Sequence, residues 1–159
     1  MFSGRYANED AFNILNRRNV GNTPIREYNC AGYALGTYSW YCPDEENEKH
    51  GWDWNIKGRK RKYLKTAIEK MLCEFPNLRR IKSVKDCGVN EYVIAFRLAD
   101  DDFHYMKRGQ NGVWYEKCGN GSIHRVPQTD VFVRTWHGRY KGKIVLFAMK
   151  VTNCLQIEG

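Results

Sequence analysis

Residues 102–117 read Asp-Phe-His-Tyr-Met-Lys-Arg-Gly-Gln-Asn-Gly-Val-Trp-Tyr-Glu-Lys. Aromatic-rich runs flank the Asn-Gly pair at 111 and 112, and these two residues tolerate the positive φ that a tight hairpin turn requires. The stretch predicts an antiparallel β-hairpin with His104 on its first arm. If the loop is centred on Gln110, His104 stands opposite Glu116 on the same face, within hydrogen-bonding reach. A one-residue slip in register would turn Glu116 to the other face. Such an imidazole–carboxylate pair asks for a third member, and Cys30 is the candidate.

Residues 29–41, Asn-Cys-Ala-Gly-Tyr-Ala-Leu-Gly-Thr-Tyr-Ser-Trp-Tyr, read as a helix with Asn29 as N-cap and Pro43 as the stop. Cys30 would sit in the first turn, where unpaired N–H groups and the positive end of the dipole favour a thiolate and so lower the thiol pKa. Small residues at 31, 32 and 34 would let other backbone or a substrate approach closely. A lone cysteine on an apolar helix is ordinarily structural. The histidine hairpin downstream is what sets this one apart.

Composition limits what such a site can belong to. With 159 residues, 42% of them hydrophobic and 14% aromatic, the chain suits one domain spanning residues 1–159 and is not disordered. A net charge of +8 points to an anionic partner or environment: nucleic acid, a cell-wall polymer or a membrane surface. The six cysteines (30, 42, 73, 87, 118 and 154) form no Cys-x-x-Cys, which argues against a zinc ribbon or a thioredoxin motif. With no apolar signal segment at the start, they are expected to be reduced thiols in a protein made in a cytoplasm. No apolar run approaches membrane-spanning length. The aspartates at 100–102 read as turn chemistry, and the acidic run at 44–48 as a solvated loop matching no calcium loop, so neither a cofactor nor a metal is expected.

In chain order, a short helix is expected from about Glu9 to Arg18, a loop over 19–28, and a long acidic, then tryptophan-rich loop over 42–57 that includes His50. Residues 59–75 form the clearest helix: Tyr63, Leu64, Ala67, Ile68, Met71, Leu72 and Phe75 recur at three- and four-residue intervals, and Pro76 ends it. Lys57, Arg59, Lys60, Arg61 and Lys62 crowd its start. Positive charge there opposes the helix dipole, so helix stability does not explain the cluster; it is either a solvated face or an anion-binding patch. Residues 92–98 and 143–151 read as strands, 119–122 as a turn followed by a polar loop to Pro127, and 131–133 as a strand or a short helix. The result is an α+β domain, helical over about 1–76 and an antiparallel sheet over about 90–153, with the cysteine helix packed on the sheet.

This arrangement resembles the papain-like fold, and within it the NlpC/P60-type cysteine peptidases and amidases. Asn29-Cys30-Ala31-Gly32 is similar to their Asp-Cys-Ser-Gly motif, His104 to their strand histidine, and Glu116 falls where their third polar residue follows. The hairpin also looks like one in bacterial and phage relatives, matched here by Asp102, Phe103, His104, Tyr105, Asn111, Gly112, Trp114, Lys117 and Gly119. Asn-Cys-Ala departs from Asp-Cys-Ser, and Glu116 stands where histidine is more common. The resemblance spans roughly residues 28–119.

It implies a cysteine-dependent amide hydrolase acting on a peptide or peptidoglycan-like substrate, released by lysis if phage-encoded. Cys30 would be the nucleophile and His104 the base, with Glu116 orienting the histidine and stabilising its charged form; Asp130 and Asn120 are the substitutes for Glu116. The Cys30 N–H would form an oxyanion hole with a donor from Tyr28 or Asn29. The competing expectation is a non-enzymatic basic module, such as a phage or host-interaction protein, that binds nucleic acid or another anionic polymer through the tryptophans and the basic helix start.

Overall fold

The centre of the protein is the strand β2 (Glu91–Leu98), whose residues are buried on both faces. Tyr92, Ile94, Phe96 and Leu98 point to one side, and Val93 and Ala95 to the other. A strand covered on both sides needs apolar residues at nearly every position, which is why 92–98 reads as a continuous apolar run. The computed structural model describes residues 21, 23–43, 59–100, 102–109 and 112–151, with the side chains of 59–61 excepted. The expected helix at 9–18 and most of the 42–57 loop, with His50 and Lys57, lie outside the described residues.

The sheet is six-stranded, in the order β1-β6-β2-β3-β4-β5, and each neighbouring pair is antiparallel. Its other members are β1 (Leu78–Ile81), β3 (Phe103–Arg108), β4 (Trp114–Lys117), β5 (Ile123–Val126) and β6 (Val145–Lys150). Among the described residues, two helices cover one face: α1 (Cys30–Leu35) and α2 (Arg59–Glu74). The protein is thus α+β. Ala67, Ile68 and Met71 from α2, and Phe75 just beyond it, join Tyr92, Ile94, Phe96, Phe147 and Met149 in the larger core, the face that the helical periodicity marks out. Each such large side chain contributes roughly 1.5–3 kcal/mol on burial.

A polar-looking segment, residues 127–144, covers the opposite face and buries Val131, Trp136 and Tyr140 against Val93, Ala95, Met106 and Trp114. Residues 131–133 are neither strand nor helix, against expectation. Carbonyls that a strand would spend on a ladder are taken by side chains instead: the Trp136 indole donates to Val131 at 2.8 Å, and the buried Arg97 guanidinium donates to Val133, Arg134 and Gly142. Residues 123–126, expected as loop, form the edge strand β5.

The cysteine helix is shorter than expected. It ends at Leu35, not Tyr41, because Gly36 adopts the left-handed conformation (φ 77°) and returns its N–H to the Gly32 carbonyl. The chain then folds back over the helix, so that a Cβ at Gly32 would lie 1.8 Å from the Ser39 carbonyl oxygen; only glycine fits there. No helix among the described residues is long and apolar enough to cross a membrane.

Candidate active site

Asn29 fixes the start of α1. Its Oδ1 accepts from the Gly32 N–H at 2.9 Å and from the Tyr41 N–H, while its Nδ2 donates to the Tyr41 carbonyl. The side chain is therefore a cap and a brace between the helix start and Tyr41. The Tyr28 ring is buried, packs edge-on against Tyr38 and lies beneath the Lys117 ammonium. Among the described residues, the Cys30 N–H has no hydrogen-bond partner, as befits a first-turn position.

Cys30 is buried, and burial pushes its thiol up to about 12; the backbone N–H groups of Tyr105 and Ala31 pull the other way but do not compensate, and Asp102 and Cys118 push it further up. This reverses the lowered pKa expected from the helix start. The reason is size: a six-residue helix offers few aligned dipoles, while complete desolvation penalises the thiolate strongly.

On the hairpin, Met106 faces Glu116, Lys107 faces Tyr115, and Arg108 faces Trp114. The pairing is displaced by two residues from that expected for a loop centred on Gln110, so His104 and Glu116 are not directly opposed. A two-residue displacement preserves the face, and the side chains bridge the diagonal: His104 Nε2 is 2.6 Å from Glu116 Oε1, with both groups buried. Glu116 also receives His137 Nε2 on Oε1 and His124 Nε2 on Oε2, each at 2.8 Å. An ionised carboxylate only accepts, so all three Nε2 atoms carry hydrogen. Burial alone would raise the Glu116 pKa, but the hydrogen bonds and charges of His104 and His137 outweigh it and hold the carboxyl at about 2.

His124 arrives because β5 pairs it directly with Glu116. His137 arrives on a tight turn, in which Trp136 and Tyr140 exchange backbone hydrogen bonds and His137 and Gly138 take φ of 52° and 70°. The sequence reading missed both. A hairpin closed over 118–122 places His124 opposite Glu116, one residue off the register that the recognised 119–122 turn implies, and no spacing signal marks His137.

Cys30 belongs to the core under the helices and His104 projects from the opposite face, yet both line one cleft of about 760 Å³ that wraps around the sheet end where β3 begins and β4 ends. Asn29, Trp40, Asp102, Cys118, His137 and Tyr140 line it too. No hydrogen bond joins Cys30 to His104 among the described residues, and His104 Nδ1 has no partner there, leaving that nitrogen to act as a base. Asp102 accepts from the Tyr140 hydroxyl at 3.1 Å, and Arg139 lies 3.5 Å from the same carboxylate. The proposed substitutes for Glu116 do not reach His104: Asp130 ends a short 3-10 turn at the smaller cavity behind Glu116, and Asn120 is in the exposed β4–β5 turn. Of the basic cluster, Lys62 is exposed, while Lys57 and the side chains of Arg59, Lys60 and Arg61 lie outside the described residues.

Comparison with family models, curated proteins and solved structures finds no match to this chain.

Proposed function

We propose that the protein is a cysteine-dependent acyl hydrolase of papain-like, NlpC/P60-like type, with Cys30 as nucleophile, His104 as base and Glu116 as the group that orients His104. The observation that carries this reading is the convergence of Cys30, from a helix start, and the Glu116-bound His104, from a strand, on one open cleft. A peptide or peptidoglycan-like amide is the substrate class.

Because the resting thiol is protonated, general-base attack is favoured over a standing thiolate–imidazolium pair. With its Nε2 hydrogen held by Glu116, His104 takes the Cys30 thiol proton on Nδ1 as sulfur attacks the carbonyl carbon. The carbonyl π electrons move to oxygen, which the Cys30 N–H stabilises. As the intermediate collapses, the C–N bond breaks and the Nδ1 proton passes to the departing amine, leaving a thioester on Cys30. Water then gives a proton to Nδ1 and attacks the thioester, and the acid leaves as the thiol recovers its proton. Bringing Nδ1 within reach of sulfur happens on substrate binding, when catalytic hydrogen bonds generally tighten.

Hydrolysis of p-nitrophenyl acetate, a generic activated acyl donor, tests the reading without knowledge of the natural substrate. Cys30→Ala and His104→Ala should each abolish release of p-nitrophenolate above background while retaining the wild-type fold by circular dichroism. Undiminished release in folded Cys30→Ala removes Cys30 from the reaction.

A further inference from the structure

The geometry points to a zinc-binding site formed by His104, Glu116, Cys118 and His137. One ligand atom from each of these residues lies within 4.8 Å of the others. Orienting His104 needs only one acceptor oxygen, yet three of the four histidines in the chain converge on a single buried carboxylate. Two of them are brought from otherwise exposed positions, with 45% and 44% of the His124 and His137 side chains accessible. Hydrogen bonding within the protein does not explain why Cys118 turns its thiol into the same space.

The donor set identifies the ion. Two imidazole nitrogens, a carboxylate oxygen and a thiolate suit Zn²⁺, whereas Mg²⁺ and Ca²⁺ want oxygen alone. Zinc bonds of about 2.0–2.3 Å put neighbouring ligand atoms in a tetrahedron roughly 3.3–3.7 Å apart. The 2.6 and 2.8 Å contacts of Glu116 with His104 and His137 would open by somewhat under an ångström, and the wider pairs would close. His124 on the second Glu116 oxygen is the outer partner that commonly fixes a ligating carboxylate. Entry is open from the large cleft past His104 and Cys118, and from a cavity of about 330 Å³ past His124 and His137.

Binding balances simply. The Cys118 thiol releases its proton to solvent and the thiolate binds the metal. On His104 and His137, the nitrogen facing Glu116 exchanges its hydrogen for the metal, and the ring proton moves to Nδ1. A four-coordinate all-protein site leaves no open position for catalysis by the metal itself. For His104 the tautomer change puts hydrogen on the atom that must accept the Cys30 proton, so zinc shuts the reaction off; that consequence alone rests on the proposed hydrolase reading.

Titration of the full chain with Co²⁺, the spectroscopic stand-in for Zn²⁺, tests the site without any turnover assay. Wild type should develop the visible band of four-coordinate cobalt together with a near-ultraviolet thiolate-to-cobalt band, and Zn²⁺ should displace both. Cys118→Ser should lose the near-ultraviolet band, whereas Cys30→Ser should keep it. Cys118→Ser and His137→Gln should each bind Zn²⁺ at least tenfold more weakly in competition with a chelating indicator, with circular dichroism confirming their fold. Absence of cobalt bands in wild type, retention of the thiolate band in Cys118→Ser, or unchanged zinc affinity in either variant overturns the site. Cobalt bound through Cys118 in a protein with no acyl transfer would leave this inference standing and remove the hydrolase reading; acyl transfer without cobalt binding would do the reverse.

Discussion

Cys30 feels two opposed influences. The Tyr105 and Ala31 N–H groups favour its thiolate, while complete burial disfavours it, and burial prevails. The consequence is a nucleophile that is silent until a base reaches it. Alkylation of Cys30 by iodoacetamide, followed by peptide mass spectrometry, should be slow near neutrality and rise about tenfold per pH unit through roughly pH 9–10, because only the thiolate reacts and its fraction grows that way below the pKa. A plateau reached by pH 7 would mean a standing ion pair and contradict general-base attack. The helix-start argument expects the opposite sign of shift, since desolvation depends on the core around the thiol, which Cys30 shares with Tyr105 from the hairpin and Tyr41 from the returning chain.

The hairpin shows how far an element can be read ahead of its register. His104 and Glu116 were legible because Asn111-Gly112 marks the turn and because a two-residue error keeps both on one face; a one-residue error would have separated them. Cys118 and His137 were not legible as partners. Cys118 lies just beyond the strand, and His137 is carried by a turn whose placement depends on the buried Arg97 guanidinium holding residues 133–142 against the sheet. The role of Glu116 is tested by two substitutions assayed on the same acyl donor. Glu116→Gln keeps an acceptor for His104 and should lower kcat on the order of tenfold, while Glu116→Ala frees the ring and should lower it on the order of a hundredfold, with KM little changed in either. Equal, wild-type kcat in both would reduce Glu116 to a structural carboxylate.

Across the whole molecule, the joint between helix and sheet is unusually polar at its centre. Lys107, fully buried, donates to the Tyr33 carbonyl at 3.2 Å and lies 4.0 Å from the Tyr33 ring centre. Burial lowers its pKa to about 7. An unfolded lysine titrates near 10.4, so between about pH 7 and 10 the unfolded chain holds more protons than the folded one, and stability must rise with pH across that window by up to about 1.4 kcal/mol per unit. Urea unfolding at pH 6.5 and 9.5 should show this rise in wild type and its loss in Lys107→Met. A slope unchanged by the substitution would mean that the ammonium is fully compensated by the surrounding tyrosine rings. α1 and the hairpin meet at this joint, so the position of Cys30 relative to the sheet depends on it.

The central claim is that Cys30, and no other thiol, carries the acyl group. Acid quench of the protein during turnover of p-nitrophenyl acetate, followed by proteolysis and peptide mass spectrometry, locates that group directly. The expected result is one acetyl on the peptide containing Cys30, absent when His104 is replaced by alanine. Acetyl on Cys118 or on a lysine, with Cys30 unmodified, would contradict the claim.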